Sequence, residues 1–334
     1  MRAAVATGRG EPLALRDVPK PTIGPQDVLL RVEASGICYT DLRLIDGRPD
    51  TDPPPIIPGH EPVGTVEEIG AEVDSVAPGD RAGAHALYTC GVCVYCRAGE
   101  EEACVEGATR LAGFGFDGGY AEYLRVPADH VVRLPVGLAA ADAAPFFCAG
   151  LTVYAGLKNA GLQPGQRVAV IGIGGLGHLA LPIAKAMGAA EVYAVTGSPD
   201  KAAVARDGGA DWVGDAEAAA QELAARGGAH VVLSTANGLE PLGQIIPGVA
   251  KQGTIVLLAA DGDVLPIPPR AFTGLQLRVI GSFFGSRQDV SEVLHLAMTH
   301  DIRPLTETYP LDEVNTALER LRANEVRFRA VLQP

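Results

Sequence analysis

The chain has 334 residues, 47% of them hydrophobic and 20% charged, which suits an ordinary globular protein of about two domains. A formal net charge of -13, with no dense run of Lys or Arg, argues against a nucleic-acid or anionic-membrane partner. The first residues, "MRAAVATGRGEPLALRDVP", hold no apolar export signal, and no later segment offers ~18 uncharged apolar residues, so a cytoplasmic protein is expected. Its six cysteines would then stay reduced, and clustered ones read as metal ligands before disulfides.

From Met1 to about Val132 the pattern is short β-rich runs ("VLLRVEA", "PVGTVEEIG", "YAEYLRVP") broken by Gly and Pro, as in an irregular, barrel-like β domain with no long helix. From about Leu151 to Ser282 the character changes. "RVAVIG", "EVYAVT", "HVVLSTA", "GTIVLLAA" and "LRVIGS" are apolar runs with Ala-rich helical stretches between the earlier ones, which predicts a doubly wound α/β fold on a parallel sheet. The last stretch, from Asp289 onward, reads as helix, strand, helix, strand and is expected to return to the first domain.

"CGVCVYCRAGEEEAC" sets Cys90, Cys93, Cys96 and Cys104 in a C-x2-C-x2-C-x7-C array. Four thiolates so spaced can close a tetrahedron around zinc with no open position, hence a structural site; an iron–sulfur cluster or four unrelated thiols are the alternatives. Cys38, in "GICYTDLR", and Cys148, in "AAPFFCAG", remain, with His60 and Glu61 in "PGHEPVGTVEEIG" between them. Each alone reads as a buried or surface group. Two cysteines and one histidine together make a ligand set for a catalytic zinc that keeps its fourth position for water or substrate.

Gly172, Gly174 and Gly177 form G-x-G-x-x-G, enclosing Gly175 and Leu176, between an apolar strand and an Ala-rich helix, the context of a dinucleotide pyrophosphate site. Where a carboxylate would normally meet the ribose 2'-hydroxyl of NAD, this chain has Thr196, followed by Gly197, Ser198 and Lys201. Hydroxyls, a glycine backbone and a lysine without that acid favour NADP(H) over NAD(H); the alternative is that Thr196 merely ends a strand and both cofactors bind.

Taken together, Cys38 with Thr40 and Asp41, "GHEPVGTVEEIG", the four-cysteine lobe, Cys148 followed by Thr152, the glycine turn and the terminal "FRAVL" resemble the zinc-dependent medium-chain alcohol dehydrogenases nearly end to end. The resemblance implies a GroES-like catalytic domain over 1–149 and 286–334 and a Rossmann domain over 150–285, in a homodimer or homotetramer. It implies a catalytic zinc on Cys38, His60 and Cys148, Glu61 as a supporting or exchangeable ligand, and a structural zinc in the lobe. Asp41 would orient His60 and Thr40 would take the alcohol proton. Thr152 would line the nicotinamide, and Arg329 would face the pyrophosphate. The implied reaction passes hydride between an alcohol carbon and the nicotinamide of NADP(H), with zinc polarising the oxygen, or runs in reverse on aldehydes and ketones. An NAD-dependent enzyme of the same family, a polyol dehydrogenase and a non-catalytic nucleotide-binding module are the other readings, and Cys148, where polyol enzymes tend to carry a carboxylate, speaks against the second.

The chain also departs from the family pattern. Arg43 replaces a proton-relaying histidine and stays charged. His85 stands where many relatives carry a pocket Trp, in a roomier pocket or at the surface. Phe328 replaces a small residue, and Pro182 interrupts the dinucleotide helix, removing a backbone donor. His178, just after the glycine turn, reads as a packing or surface group.

Overall fold

The computed structural model describes residues 1–47, 55–107, 110–259 and 264–334. It divides into two compact units, one of Met1–Cys148, Ser286–Met298 and Pro304–Pro334, the other of Ala149–Gly285 and Thr299–Arg303.

The amino-terminal stretch begins with a hairpin of β1 (Arg2–Val5) and β2 (Ala14–Asp17). β3 (Asp27–Ile37), α1 (Tyr39–Asp46), β4 (Glu61–Ile69), β5 (Arg81–Ala84), α2 (Val94–Ala98), β6 (Tyr123–Pro127), β7 (Val131–Arg133) and α3 (Ala140–Ala143) follow. The middle of the chain holds α4 (Ala149–Asn159), β8 (Arg167–Ile171), α5 (Gly177–Ala186), β9 (Glu191–Val195), α6 (Pro199–Asp207), β10 (Trp212–Gly214) and α7 (Ala216–Ala225). It continues with β11 (Ala229–Ser234), α8 (Glu240–Ile245), β12 (Val249–Leu257), α9 (Pro269–Leu275) and β13 (Arg278–Gly281). Last come α10 (Arg287–Thr299), β14 (Thr306–Pro310), α11 (Val314–Arg322) and β15 (Arg329–Gln333).

In the first unit β3 is the spine. Of its eleven residues only Asp27, Arg31 and Glu33 are open to solvent in whole or part, and the carboxyl end from Ala34 is wholly buried. One edge pairs antiparallel with β4; the other takes β6 along Asp27–Arg31 and β15 along Ser35–Ile37. Register shifts against β4 between Leu29 and Leu30, and again between Val32 and Ala34, bend the strand as bulges do, and curl the seven-stranded sheet. Ile37, Leu42, Tyr120, Tyr309, Leu311 and Leu332 pack one of its cores.

The second unit carries a six-stranded parallel sheet in the order β10-β9-β8-β11-β12-β13. The chain builds outward from β8 to β9 and β10 on one side and from β11 to β13 on the other, so the order of construction reverses between β8 and β11, the topological switch where such sheets bind ligands. β8 and β9 are buried along almost their whole length because helices cover both faces. The short edge strand β10 escaped the sequence reading; three half-buried residues carry no periodic signal. The apolar run "GTIVLLAA" forms the end of β12, and its last residue, Ala260, lies outside the described residues. Pro182 sits inside α5 without ending it. Among the described residues no single helix is long and apolar enough to cross a membrane.

Candidate active site and metal centres

Strand register brings the first candidate site together. Gly36 of β3 pairs with Glu61 of β4, and Ile37 with Ala330 of β15, so the carboxyl end of β3 lies between the starts of two neighbours. Cys38 leaves that end beside His60, Glu61 and Arg329. Cys148 arrives from the other direction, at the end of a buried 3₁₀ turn, Ala144–Phe147. The spacing of "CYTD" has a local cause: Cys38 is the N-cap of α1, and Asp41 at the third helical position accepts the Cys38 N–H at 2.8 Å.

One ligand atom from each of Cys38, His60, Glu61 and Cys148 falls within 4.8 Å of the others, and all four side chains are buried. Cys38 Sγ lies 3.9 Å from Cys148 Sγ, and His60 Nε2 lies 3.3 Å from Cys148 Sγ and 3.8 Å from Glu61 Oε1. Zinc at about 2.3 Å from sulfur and about 2.0–2.1 Å from nitrogen would space tetrahedral ligands by ~3.5–3.8 Å, so the donor set fits that ion in chemistry and separation. His60 Nδ1–H donates to Asp41 Oδ1 at 2.9 Å, which leaves the Nε2 lone pair facing the sulfurs. Asp41 is wholly buried and also accepts the Tyr120 hydroxyl at 2.9 Å.

The cluster's electrostatics are those of a crowded, dry anionic site. The Cys148 hydrogen bond, against burial, draws Cys38 well below the usual thiol range, while the same bond together with burial drives Cys148 well above it. Burial disfavours a charged His60, yet the Asp41 carboxylate outweighs it and holds the imidazole well above its usual value. Burial raises Glu61 against the pull of Arg329. Arg329, expected at a pyrophosphate, is itself 4% exposed and pairs with Glu61 Oε1. Its Nε and Glu61 Oε2 are buried without a hydrogen-bond partner, a donor that suits an anion and an acceptor that suits a cation. Phe328, just before it, adopts a φ of 75°, and this turn feeds Arg329 into β15. Thr40 Oγ1 stands 3.6 Å from Cys38 Sγ, and Arg43 points from α1 as an exposed cation.

The second cluster gathers Cys90, Cys93, Cys96 and Cys104, again within 4.8 Å. Cys93 caps α2, and backbone N–H groups of Cys90, Cys93 and Cys96 donate to the sulfurs of Cys104, Cys90 and Cys93 at 3.4–3.5 Å. Such donors favour thiolate: the Cys96 N–H helps bring Cys93 down to about 6, whereas burial pushes Cys96 up to about 12. Among the described residues no further His, Cys or carboxylate joins this set of four, which fits a structural zinc. Arg287 at the start of α10 pins the lobe by donating to both oxygens of Glu101 and to the Asp129 carbonyl. His85 is fully buried, not at the surface, and stacks on His130 with ring centroids 6.3 Å apart.

In the second unit the glycine turn joins β8 to α5 at the switch point. A Cβ on Gly177 would lie 1.9 Å from the Gly172 carbonyl oxygen, so only glycine lets helix and strand approach, while the same addition at Gly174 meets nothing, so the turn is open on that side. Gly172 N–H donates to Val195 O at 3.0 Å, tying the turn to the end of β9 and hence to Thr196, Gly197 and Ser198 on the same sheet edge. Thr196 Oγ1 accepts the Ser198 N–H; Ser198 caps α6, whose first turn carries Lys201 and the acidic Asp200. His178 is buried, with Nδ1 2.9 Å from Gly174 O, so it braces the turn. Thr235, after β11, donates to Gly172 O at 2.6 Å, a brace the sequence reading missed although a hydroxyl follows the apolar run. Thr152 is buried on α4 and is not brought to the turn by any described bond.

Comparison with known proteins matches residues 24–136 to the alcohol dehydrogenase GroES-like domain and residues 175–299 to zinc-binding dehydrogenase. An alcohol dehydrogenase of Geobacillus stearothermophilus is 39% identical over 338 residues, covering 100% of this chain and 99% of that one. The NADP-dependent alcohol dehydrogenase C 1 of Mycolicibacterium smegmatis is 32% identical, covering 99% and 97%. The acetophenone reductase of Geotrichum candidum, solved in complex with NAD, superposes with a TM-score of 0.87 at 31% identity, covering 100% and 97%.

Proposed function

The chain belongs to the zinc-dependent medium-chain alcohol dehydrogenases, and from that premise we propose that it transfers hydride between primary or secondary alcohols, or their aldehydes and ketones, and NADP(H), with one catalytic and one structural zinc. In this reading residues 1–149 and 286–334 are the catalytic, zinc-binding domain and 150–285 the dinucleotide-binding domain. The observation that carries it is the buried convergence of Cys38, His60, Glu61 and Cys148 within 4.8 Å.

Cys38, His60 and Cys148 would hold the ion, with Glu61 as a supporting or exchangeable ligand. Bound there, zinc supplies a Lewis acid to an alcohol or carbonyl oxygen, as the nicotinamide supplies the hydride carrier. Asp41 keeps His60 in the tautomer that offers Nε2. Thr40 takes the alcohol proton, which leaves through ribose hydroxyls and water, since position 43 holds an arginine in place of a relaying histidine. The Gly172–Gly177 turn and the start of α5 receive the pyrophosphate. Thr196, the Gly197 backbone, Ser198 and Lys201 take the 2'-phosphate, against the opposing charge of Asp200. Thr152 lines the nicotinamide. The six free cysteines suit a reducing compartment, the cytoplasm.

Metal analysis with initial rates tests the reading. The parent protein should carry two zinc ions per chain and reduce a panel of aldehydes faster with NADPH than with NADH. Cys148→Ala should keep one zinc and lose turnover; a fully active variant would refute the catalytic assignment. Equal or better rates with NADH discard the cofactor preference and leave the dehydrogenase standing.

A further inference from the structure

A buried carboxylate without donors on both oxygens is costly, so the partners of Asp41 define what it is held for. Its Oδ1 accepts His60 Nδ1–H at 2.9 Å. Its Oδ2 accepts two donors, the Cys38 N–H at 2.8 Å and the Tyr120 hydroxyl at 2.9 Å. One donor on each oxygen leaves the carboxylate free to rock about its own axis; a third, from an independent direction, fixes its plane. Tyr120 is built to supply that third donor, since it is wholly buried and rigidly mounted.

The mounting is visible in the backbone. Gly118 N–H donates to Ile57 O at 2.7 Å, Gly119 N–H to Gly59 O at 2.7 Å and Tyr120 N–H to Pro58 O at 3.0 Å, so "GGY" clasps the three residues that lead into His60. Gly59 has a φ of +99°, and a Cβ there would stand 2.3 Å from a ring carbon of Tyr120. The aromatic ring therefore supports the backbone that delivers His60 while its hydroxyl holds the carboxylate that orients the imidazole.

We propose that Tyr120 is a positioning residue for the Cys38–His60–Cys148 metal site, its hydroxyl locking Asp41 and, through Asp41, the His60 ring that presents Nε2 to the ion. The proposal rests on the reading of that cluster as a zinc site. Phenylalanine at the same position would keep the ring beneath Gly59 and remove the donor alone.

The test compares zinc-loaded parent and Tyr120→Phe by zinc content, by the rate of zinc release to the chelator 4-(2-pyridylazo)resorcinol, and by the visible d–d bands after cobalt(II) substitution. Partners that orient ligating histidines are worth about 10–100-fold in metal affinity, and a group acting one bond further out is expected to speed release from the cluster by about 3–10-fold. Release from the four-cysteine lobe should be unchanged and the cobalt bands should shift. In an Asp41→Asn background the same change should add nothing, because the link is already broken. Parent-like release and bands in Tyr120→Phe would overturn the proposal, as would an equal acceleration persisting with Asn at position 41. A parent holding one zinc per chain, with no release phase lost in Cys148→Ala, would instead overturn the underlying metal-site reading, and the proposal with it.

Discussion

His130 should make the protein's stability fall as the pH drops, by an amount the structure allows to be worked out. The side chain is 6% exposed, and its Nε2 accepts the Thr89 N–H at 3.0 Å, so the ring is held neutral. Burial, aided by the nearby positive charge of Arg287, pulls its pKa down to about 3, against about 6.5 in an unfolded chain. Between those values the unfolded chain binds a proton that the folded one refuses. The contribution is therefore fully present above about pH 6.5 and is lost as the pH falls towards 3. Protonation of the unfolded chain alone amounts to about 2 kcal/mol between about pH 7 and about pH 5. His130→Gln keeps an acceptor for the Thr89 N–H and cannot titrate. Urea unfolding of zinc-saturated parent and variant, followed by far-ultraviolet circular dichroism, should show the parent's advantage shrinking by about 2 kcal/mol across that interval. An advantage constant to within about 0.5 kcal/mol would refute a neutral, buried His130.

Three other substitutions probe separate parts of the molecule. Thr196→Asp places a carboxylate at the end of β9 and should turn cofactor preference towards NADH; kcat/KM with both cofactors reads this, and a variant still selective for NADPH would show that the phosphate is recognised elsewhere. Cys96→Ser removes one thiolate from the lobe and should drop zinc content by one ion per chain while lowering Tm by several degrees, with unchanged Tm and full zinc content counting against a structural site. Gly177→Ala forces a Cβ to within 1.9 Å of the Gly172 carbonyl oxygen, so the turn must open. Nucleotide affinity, measured by quenching of Trp212 or by calorimetry, should weaken at least about 10-fold, and parent-like binding would mean the close approach is not required.

Much of this was legible in the chain because its signals are local. The C-x2-C-x2-C array can only gather its own sulfurs, since four residues of loop bring them within reach of one another, and the glycine turn declares itself by lying between an apolar strand and an Ala-rich helix. His85 and β10 show where local signals fail. Nothing in "AHALYTC" says whether a histidine is buried against His130, and a three-residue edge strand has no period to detect.

The amino-acid sequence by itself determined the family, the two fold classes in order along the chain and the donor types available to each metal cluster, because motif spacing and hydrophobic period are properties of neighbouring residues. Tertiary structure alone decided which distant groups meet. The pairing of Gly36 with Glu61 and of Ile37 with Ala330 turns Arg329 onto a carboxylate 268 positions away. The clasp of Gly118–Tyr120 on Ile57–Gly59 sets a tyrosine hydroxyl on Asp41, 79 positions away. The first contact follows from strand register, where a slip of one residue would send Glu61 and Arg329 to the opposite face, and the second from backbone hydrogen bonds between two loops.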